Sequence, residues 1–501
     1  MFKQLFTLSI LLASFISIKV NAQTVSATAQ QTAQYAKDTY QQAMVDSLAK
    51  LVVHNTVAID GVSPRDNPAH IAFKNELHQQ AKALGLDYTD HGAVVIIGLG
   101  KSDQRVGVIT HGDIQPVNAK KWKKSPFELD LTSEPGKLIG RGTEDDKGPI
   151  TTAMYAMKAI KDKKIELTKR IELYVYMAEE SDWEPLKAYI KENSLPQVNI
   201  TIDAEYPVVT AEKGYGTISM TFPNKKIRSS KPYLSAFTGG FFGSQIPEDA
   251  QAIIENADHY LLQQVMDKAK KVQGVGFNFE LKNKQLVITA LGKSAHSSKP
   301  EDGVNAITHL ADLLSLQHWP NNASGGLVNF INAKLGTGLY GKKFGDIAYH
   351  DDFMGPMTVS PTVLKQLEEG IQLNINIRRP KGKSKIQLDK EIKQTLVDWQ
   401  QTENSPLLNV KNSIGDPFVL TDAPHIDTLL SVFSHFTGIQ DAKPISIGGG
   451  TNSRLFPNAV SFGPSMPNTE YTGHSEHEFI TMKQFVLNLE MYTAVMVELA
   501  L

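Results

Sequence analysis

The sequence predicts an α/β layer fold interrupted by a separate α+β domain, and three observations carry that expectation. A chain of 501 residues exceeds what one core holds, since single cores stop growing at roughly 250–300 residues, so two domains are expected. Up to about residue 215, apolar runs of strand length alternate with helix-type spacing, as in an α/β layer. From about Gly216 the texture changes to alternating strands and hairpin signals.

Residues 1–22 carry Lys3, an apolar run over 5–18 and then Val20-Asn21-Ala22 before Gln23, which reads as a cleaved signal peptide and places the mature chain in the periplasm or outside the cell. A membrane anchor needs about 20 apolar residues, and this run is shorter and broken by Thr7, Ser9, Ser14 and Ser17. The Ala-, Thr-, Ser- and Gln-rich stretch from Gln23 to about Gln34 reads as a loose lead. Helix-type spacing follows at 37–52 and 67–84, and buried strands at 93–99, 105–110 and 171–177. Over 149–161, Ile150, Ala153, Met154, Met157 and Ile160 share one face of an amphipathic helix. In the second domain, 277–281 and 285–291 form a hairpin around Asn283-Lys284, and helices are expected at 302–316 and 385–401. His474 lies beyond this domain and must rejoin His111 if both bind metal. The second domain, 216–408, is therefore an insertion between 23–215 and 409–501.

A net charge of −2 with interspersed signs offers no basic field to nucleic acid, so the partner is a small molecule or peptide. The absence of cysteine rules out disulfides, a lipoprotein anchor, thiolate ligands and a cysteine nucleophile. Any metal must be held by His and carboxylate.

Such residues cluster. His111 and Asp113 follow an apolar strand, as do Glu179-Glu180 and Asp203, and open α/β sheets gather ligands at the carboxyl ends of their strands. His-x-Asp allows Asp113 to orient the ring, although the same pair can simply satisfy a buried histidine. Asp145, between Gly140-Arg141-Gly142 and a helix start, is a ligand or a helix cap. Adjacent carboxylates at 179 and 180 repel unless a cation or proton intervenes. They can divide the labour, with Glu180 on a metal and Glu179 as general base. A final cluster, Thr472 through Glu478, offers His474 and His477, and spacing does not choose between them. The pattern reads as a hydrolytic metalloenzyme.

Together these motifs resemble the co-catalytic zinc peptidases that include carnosinase, aminoacylase, glutamate carboxypeptidase and, nearest in type, the bacterial dipeptidase V. The matching segments are Thr110-His111-Gly112-Asp113, Gly140-Arg141-Gly142 through Asp145-Asp146-Lys147-Gly148, Ala178-Glu179-Glu180, Asp203-Ala204-Glu205, Gly292-Lys293-Ser294-Ala295-His296, Gly448-Gly449-Gly450-Thr451 and His474 through Glu478. The resemblance implies a catalytic domain with a mixed sheet flanked by helices, an inserted lid and two divalent ions, zinc by analogy. It implies His111 and Asp203 on one ion, Glu180 and His474 on the other, and Asp145 between them. Asp113 then orients His111, Glu179 is the base, and His296 reaches from the lid to stabilise the oxyanion. Arg378, after the strand 371–377, corresponds to a lid arginine for the substrate carboxylate, with Gly448, Gly449 and Gly450 as a backbone cradle. The dipeptidase branch carries Asn after Gly-Gly-x-x-x in the lid, whereas Gly239-Gly240-Phe241-Phe242-Gly243 is followed by Ser244, which bears on specificity.

The expectation is thus an exported metallopeptidase for dipeptides or similar short peptides, as monomer or homodimer, without a membrane anchor once the leader is cleaved. An N-acyl or carbamoyl amino acid amidohydrolase would use the same metals without requiring a free amine. Glu205 and Asp182 are candidates for binding that amine. A non-catalytic periplasmic binding protein is the rival of another class, and the intact Glu179 argues against it.

Overall fold

The computed structural model describes residues 24–501; the signal-peptide reading of 1–22 lies outside the described residues. A nine-stranded mixed sheet runs in the order Asp87–Asp90, Val94–Leu99, Arg170–Tyr176, Arg105–His111, Val198–Thr201, Ala459–Ser461, Val209–Glu212 and Phe418–Val419, with Ile445–Ile447 also pairing to Val209–Glu212. Arg105–His111 is parallel to both its neighbours, so three strands end together at one edge. Helices Ala27–Val52, Lys147–Asp162 and Met482–Ala500 pack on one another and share the core of this sheet. Lys147–Asp162 buries all five apolar residues expected on its inner face.

The loose lead expected at 23–34 is instead helical from Ala27. Ser26 caps the helix by accepting from the Ala29 amide, and the Ser26 amide donates to Glu498 at 2.7 Å. Ala29, Ala33 and Ala36 are wholly buried, so small side chains here serve close helix packing rather than a linker.

The second sheet has eight strands, all antiparallel: Gly276–Lys282, Gln285–Leu291, Asp249–Glu255, Tyr233–Gly239, Thr358–Gln366, Gly370–Arg379, Gly214–Pro223 and Leu408–Ile414. Its own core is built on residues such as Phe222, Phe237, Trp319, Phe330 and Trp399. The expected hairpin turns on Asn283 and Lys284, both with positive φ (51° and 63°), as a two-residue primed turn needs. The helix expected over 302–316 is shorter, Ala306–Leu313. Gly303 follows a single 3₁₀ turn, and Asn305 caps the helix proper through the Ile307 and Thr308 amides. The chain enters and leaves this sheet side by side, the Gly415 amide donating to the Tyr215 carbonyl at 2.7 Å. Among the described residues, no helix is long and apolar enough to cross a membrane.

Candidate active site

Where the three parallel strands end, the residues that follow them converge. His111 Nε2 lies 2.9 Å from Asp145 Oδ1 and 3.7 Å from Asp203 Oδ1. His474 Nε2 lies 2.6 Å from Glu180 Oε1 and 3.2 Å from Asp145 Oδ2. Asp145 therefore offers one oxygen to each histidine. The result is two donor groups, His111 with Asp145 and Asp203, and Asp145 with Glu180 and His474, whose ligand atoms within each group lie within 4.8 Å of one another. His477 stays exposed and pairs with Glu134 at 3.0 Å, so only His474 joins the cluster.

The electrostatics call for a cation. Burial opposes charge on His111, yet Asp203, Asp113 and Asp145 lift its imidazole well above the usual range. Against the same burial, Glu180 and Asp145 raise His474 to about 10. Burial, then the charge of Asp203, pushes the Glu179 carboxyl well up, and burial with Asp145 and Glu180 raises Asp203 to about 6. The crowded carboxylates draw positive charge, which protons on two imidazoles supply only by occupying donor nitrogens. Divalent cations fit this set, all nitrogen and oxygen donors with one shared carboxylate.

Asp113 holds both halves of the site together. It faces His111 Nδ1 at 3.4 Å, and its two oxygens accept from the Glu179 and Glu180 amides at 2.9 and 3.0 Å. Glu179 Oε1 is buried and has no hydrogen-bond partner among the described residues. Its side chain lines a cavity of about 780 Å³.

The second sheet closes that cavity with His296, Arg378, Ser244 and Phe242. The His296 ring lies 4.6 Å from that of His474. Arg378 is buried over the Tyr215 ring, donates from Nη2 to Ser297 Oγ at 3.1 Å and from Nε to Asn376 Oδ1 at 3.1 Å, and has no ion-pair partner among the described residues. Burial lowers its guanidinium to about 10. Gly449 and Gly450 line the cavity. Gly448 lies behind them against the lid, where a Cβ would sit 2.4 Å from the Ser298 carbonyl. Glu212 holds this loop, accepting from Thr451 Oγ1 at 2.6 Å, Ser453 Oγ at 2.9 Å and Arg454 Nη2 at 2.9 Å. Of the two acidic residues expected near an amine, Glu205 lines the cavity but is already paired with Lys299 at 2.6 Å. Asp182 instead accepts from the Glu184 amide at the start of helix Glu184–Glu192.

The contacts of three residues, Glu478, Tyr471 and Gln115, were not anticipated from the sequence. Glu478 Oε1 accepts from the Gly142, Glu144 and Asp145 amides, each at 3.0 Å, while Oε2 pairs with Arg141 at 2.8 Å. The Tyr471 hydroxyl donates to Asp145 Oδ2 at 2.7 Å, and Gln115 Nε2 to Glu180 Oε2 at 2.9 Å. An arginine and a glutamate inside two motifs otherwise rich in glycine and ligands were the available signal for the first.

Comparison with known proteins bears on this geometry. The model of peptidase family M20/M25/M40 matches residues 107–498. The chain is 30% identical over 406 residues, 80% of its length and 83% of the other's, to the Beta-Ala-Xaa dipeptidase of Lactobacillus delbrueckii subsp. lactis. Human carnosine dipeptidase 1 has a similar fold, with a TM-score of 0.57, 16% identity, and coverage of 94% of this chain and 99% of that one. The di-peptidase Dug1p of Saccharomyces cerevisiae gives a TM-score of 0.57 at 14% identity, over 94% of this chain and 98% of that one.

Proposed function

The chain belongs to peptidase family M20/M25/M40, and from that premise we propose that it is an exported dipeptidase holding two zinc ions and cleaving short peptides with a free carboxylate. Residues 1–22, with their leader-like pattern, support export. His111 and Asp203 would hold one ion and Glu180 and His474 the other, with Asp145 offering one oxygen to each group. When bound, such a pair of ions polarises the scissile carbonyl and eases deprotonation of water.

The rest falls to the chain. Glu179 takes the proton from the attacking water and delivers it to the departing amine, a task suited to a carboxyl raised by burial and by Asp203. Asp113 fixes the Glu179 backbone, so the base is held by the same carboxylate that faces His111. His296 donates to the developing oxyanion. Arg378, buried without a counter-ion among the described residues, receives the substrate carboxylate, with the Gly449 and Gly450 backbone beside it. Ser244 lines the same space.

The observation that carries this reading is the meeting, in one cavity, of two donor groups sharing Asp145, the unpartnered Glu179 oxygen and two lid residues of the same chain. The pairing of Glu205 with Lys299 favours one variation, an N-acyl or carbamoyl amino acid amidohydrolase, because that carboxylate is not free for an amine. The test is amino acid release from dipeptides, tripeptides and N-acyl amino acids by the mature protein, before and after chelation and with zinc restored. Zinc-dependent cleavage confined to dipeptides is expected. Cleavage of blocked amino acids alone would replace the dipeptidase reading, and metal binding without any cleavage would favour a binding protein.

A further inference from the structure

His296 is held by its own chain in a way that determines which ring nitrogen carries the proton. Nδ1 is turned back onto the segment that follows it, 2.5 Å from Ser298 Oγ and 3.2 Å from the Ser298 backbone nitrogen. A backbone N–H only donates, so Nδ1 must accept. An accepting Nδ1 carries no hydrogen, and the Ser298 hydroxyl, which can rotate, then donates to the same lone pair. The hydrogen of the neutral ring is left on Nε2, the nitrogen not turned back onto the chain.

We infer that Ser298 is a positioning residue that locks His296 as the Nε2–H tautomer, so that the ring meets the substrate as a hydrogen-bond donor. The inference rests on the peptidase reading above, in which His296 serves a developing oxyanion, since only a donor can do that. The opposite tautomer would place a lone pair against negative charge.

The seat of this segment supports the assignment. Gly448 packs against Ser298 so closely that an added Cβ would lie 2.4 Å from its carbonyl oxygen and 3.1 Å from its Cβ. Ser297, one residue earlier, accepts from Arg378, and Lys299, one residue later, pairs with Glu205 across to the first domain. Neighbours on both sides are tied down, so the Ser298 hydroxyl has little freedom to leave the ring. Ser298 as a whole is 8% exposed, at the wall of the same cavity.

The test is a double-mutant cycle on the zinc-loaded enzyme with ring nitrogen-15 NMR of labelled histidine, His296 being assigned by its loss in His296→Ala. Expected are a pyrrole-type Nε2 and a pyridine-type Nδ1 in the wild type. Ser298→Ala should lower kcat by about 10- to 100-fold with KM little changed, as loss of an orienting partner does. In the His296→Ala background the same change should cost almost nothing, because the two residues act as one unit. A hydrogen on Nδ1, an undiminished kcat in Ser298→Ala, or an equal loss with and without His296 would each overturn the proposal. An enzyme that cleaves no peptide but shows the Nε2–H ring would leave this tautomer standing and remove the peptidase reading.

Discussion

A buried carboxylate oxygen without a partner costs about 1–3 kcal/mol, and more when charged, so the lone Glu179 Oε1 beside a cavity marks a group kept for reaction rather than stability. Glu179→Gln should lower kcat by about 10²–10⁴-fold while metal analysis still finds near two ions per chain, because the ligand groups do not include it. Normal turnover in that variant would move the base elsewhere. Legibility at this scale followed chain geometry. His111, Glu180 and Asp203 each stand at or just past the end of a strand and could be read from it, whereas Glu478 acts through neighbours that only the folded chain brings near. His425 is a second such case. Its Nε2 donates to the Asn199 carbonyl at 2.9 Å, and burial lowers its imidazole to about 4. The unfolded chain takes up a proton below about 6.5 that the folded chain refuses, so stability contributed above that pH is lost as pH falls towards 4. The full effect is about 3 kcal/mol, and His425→Gln, which keeps a donor for Asn199, should lose that part of the acid slope in urea unfolding. An unchanged slope would assign the proton uptake to other groups.

At the scale of elements, the turn from Gly140 to Asp145 depends on Glu478 as a substitute for regular structure. One oxygen satisfies the amides of Gly142, Glu144 and Asp145, which no helix or strand serves, and Arg141 balances the charge. Glu478→Gln puts an amide donor or a weaker acceptor against Arg141. It should destabilise the fold by about 3 kcal/mol, as breaking a buried pair does, and weaken metal retention about 10- to 100-fold through Asp145. Thermal melting and metal titration measure the two separately, and intact metal affinity would deny Glu478 its hold on Asp145. A related prediction concerns the glycine loop. Gly448→Ala drives a Cβ into the Ser298 carbonyl, a backbone atom that cannot swing aside, so the lid segment must shift and kcat should fall about 10-fold or more. Normal activity in that variant would show that the segment tolerates displacement. Elements with strong periodicity, such as Lys147–Asp162 and Gln285–Leu291, could be read in the sequence. The start of Ala27–Val52 could not, because alanines reveal nothing until the helix they pack against, Met482–Ala500, is in place.

For the whole molecule, the insertion places lid and body on one chain, and the contacts between them are made in cis. Gln245 Nε2 donates to the His474 carbonyl at 2.9 Å, Lys299 pairs with Glu205 at 2.6 Å, and Lys293 pairs with Glu470 at 3.1 Å. Lys121 adds Glu248 and Asp249 at the same seam. An exposed ion pair such as Lys293 with Glu470 contributes at most about 1 kcal/mol. What matters for assembly is that His296 and Arg378 already line the cavity containing Asp145, Glu179 and His474 of their own chain. A site completed by a second copy would lose activity as the copies part on dilution. A site complete in one chain should not. Specific activity on a cleaved dipeptide is therefore expected to stay constant over about 100-fold dilution, whatever mass sedimentation gives under assay conditions. Activity that falls with dilution, in step with conversion of a dimer to monomers, would mean that a partner copy completes the site or orders the lid.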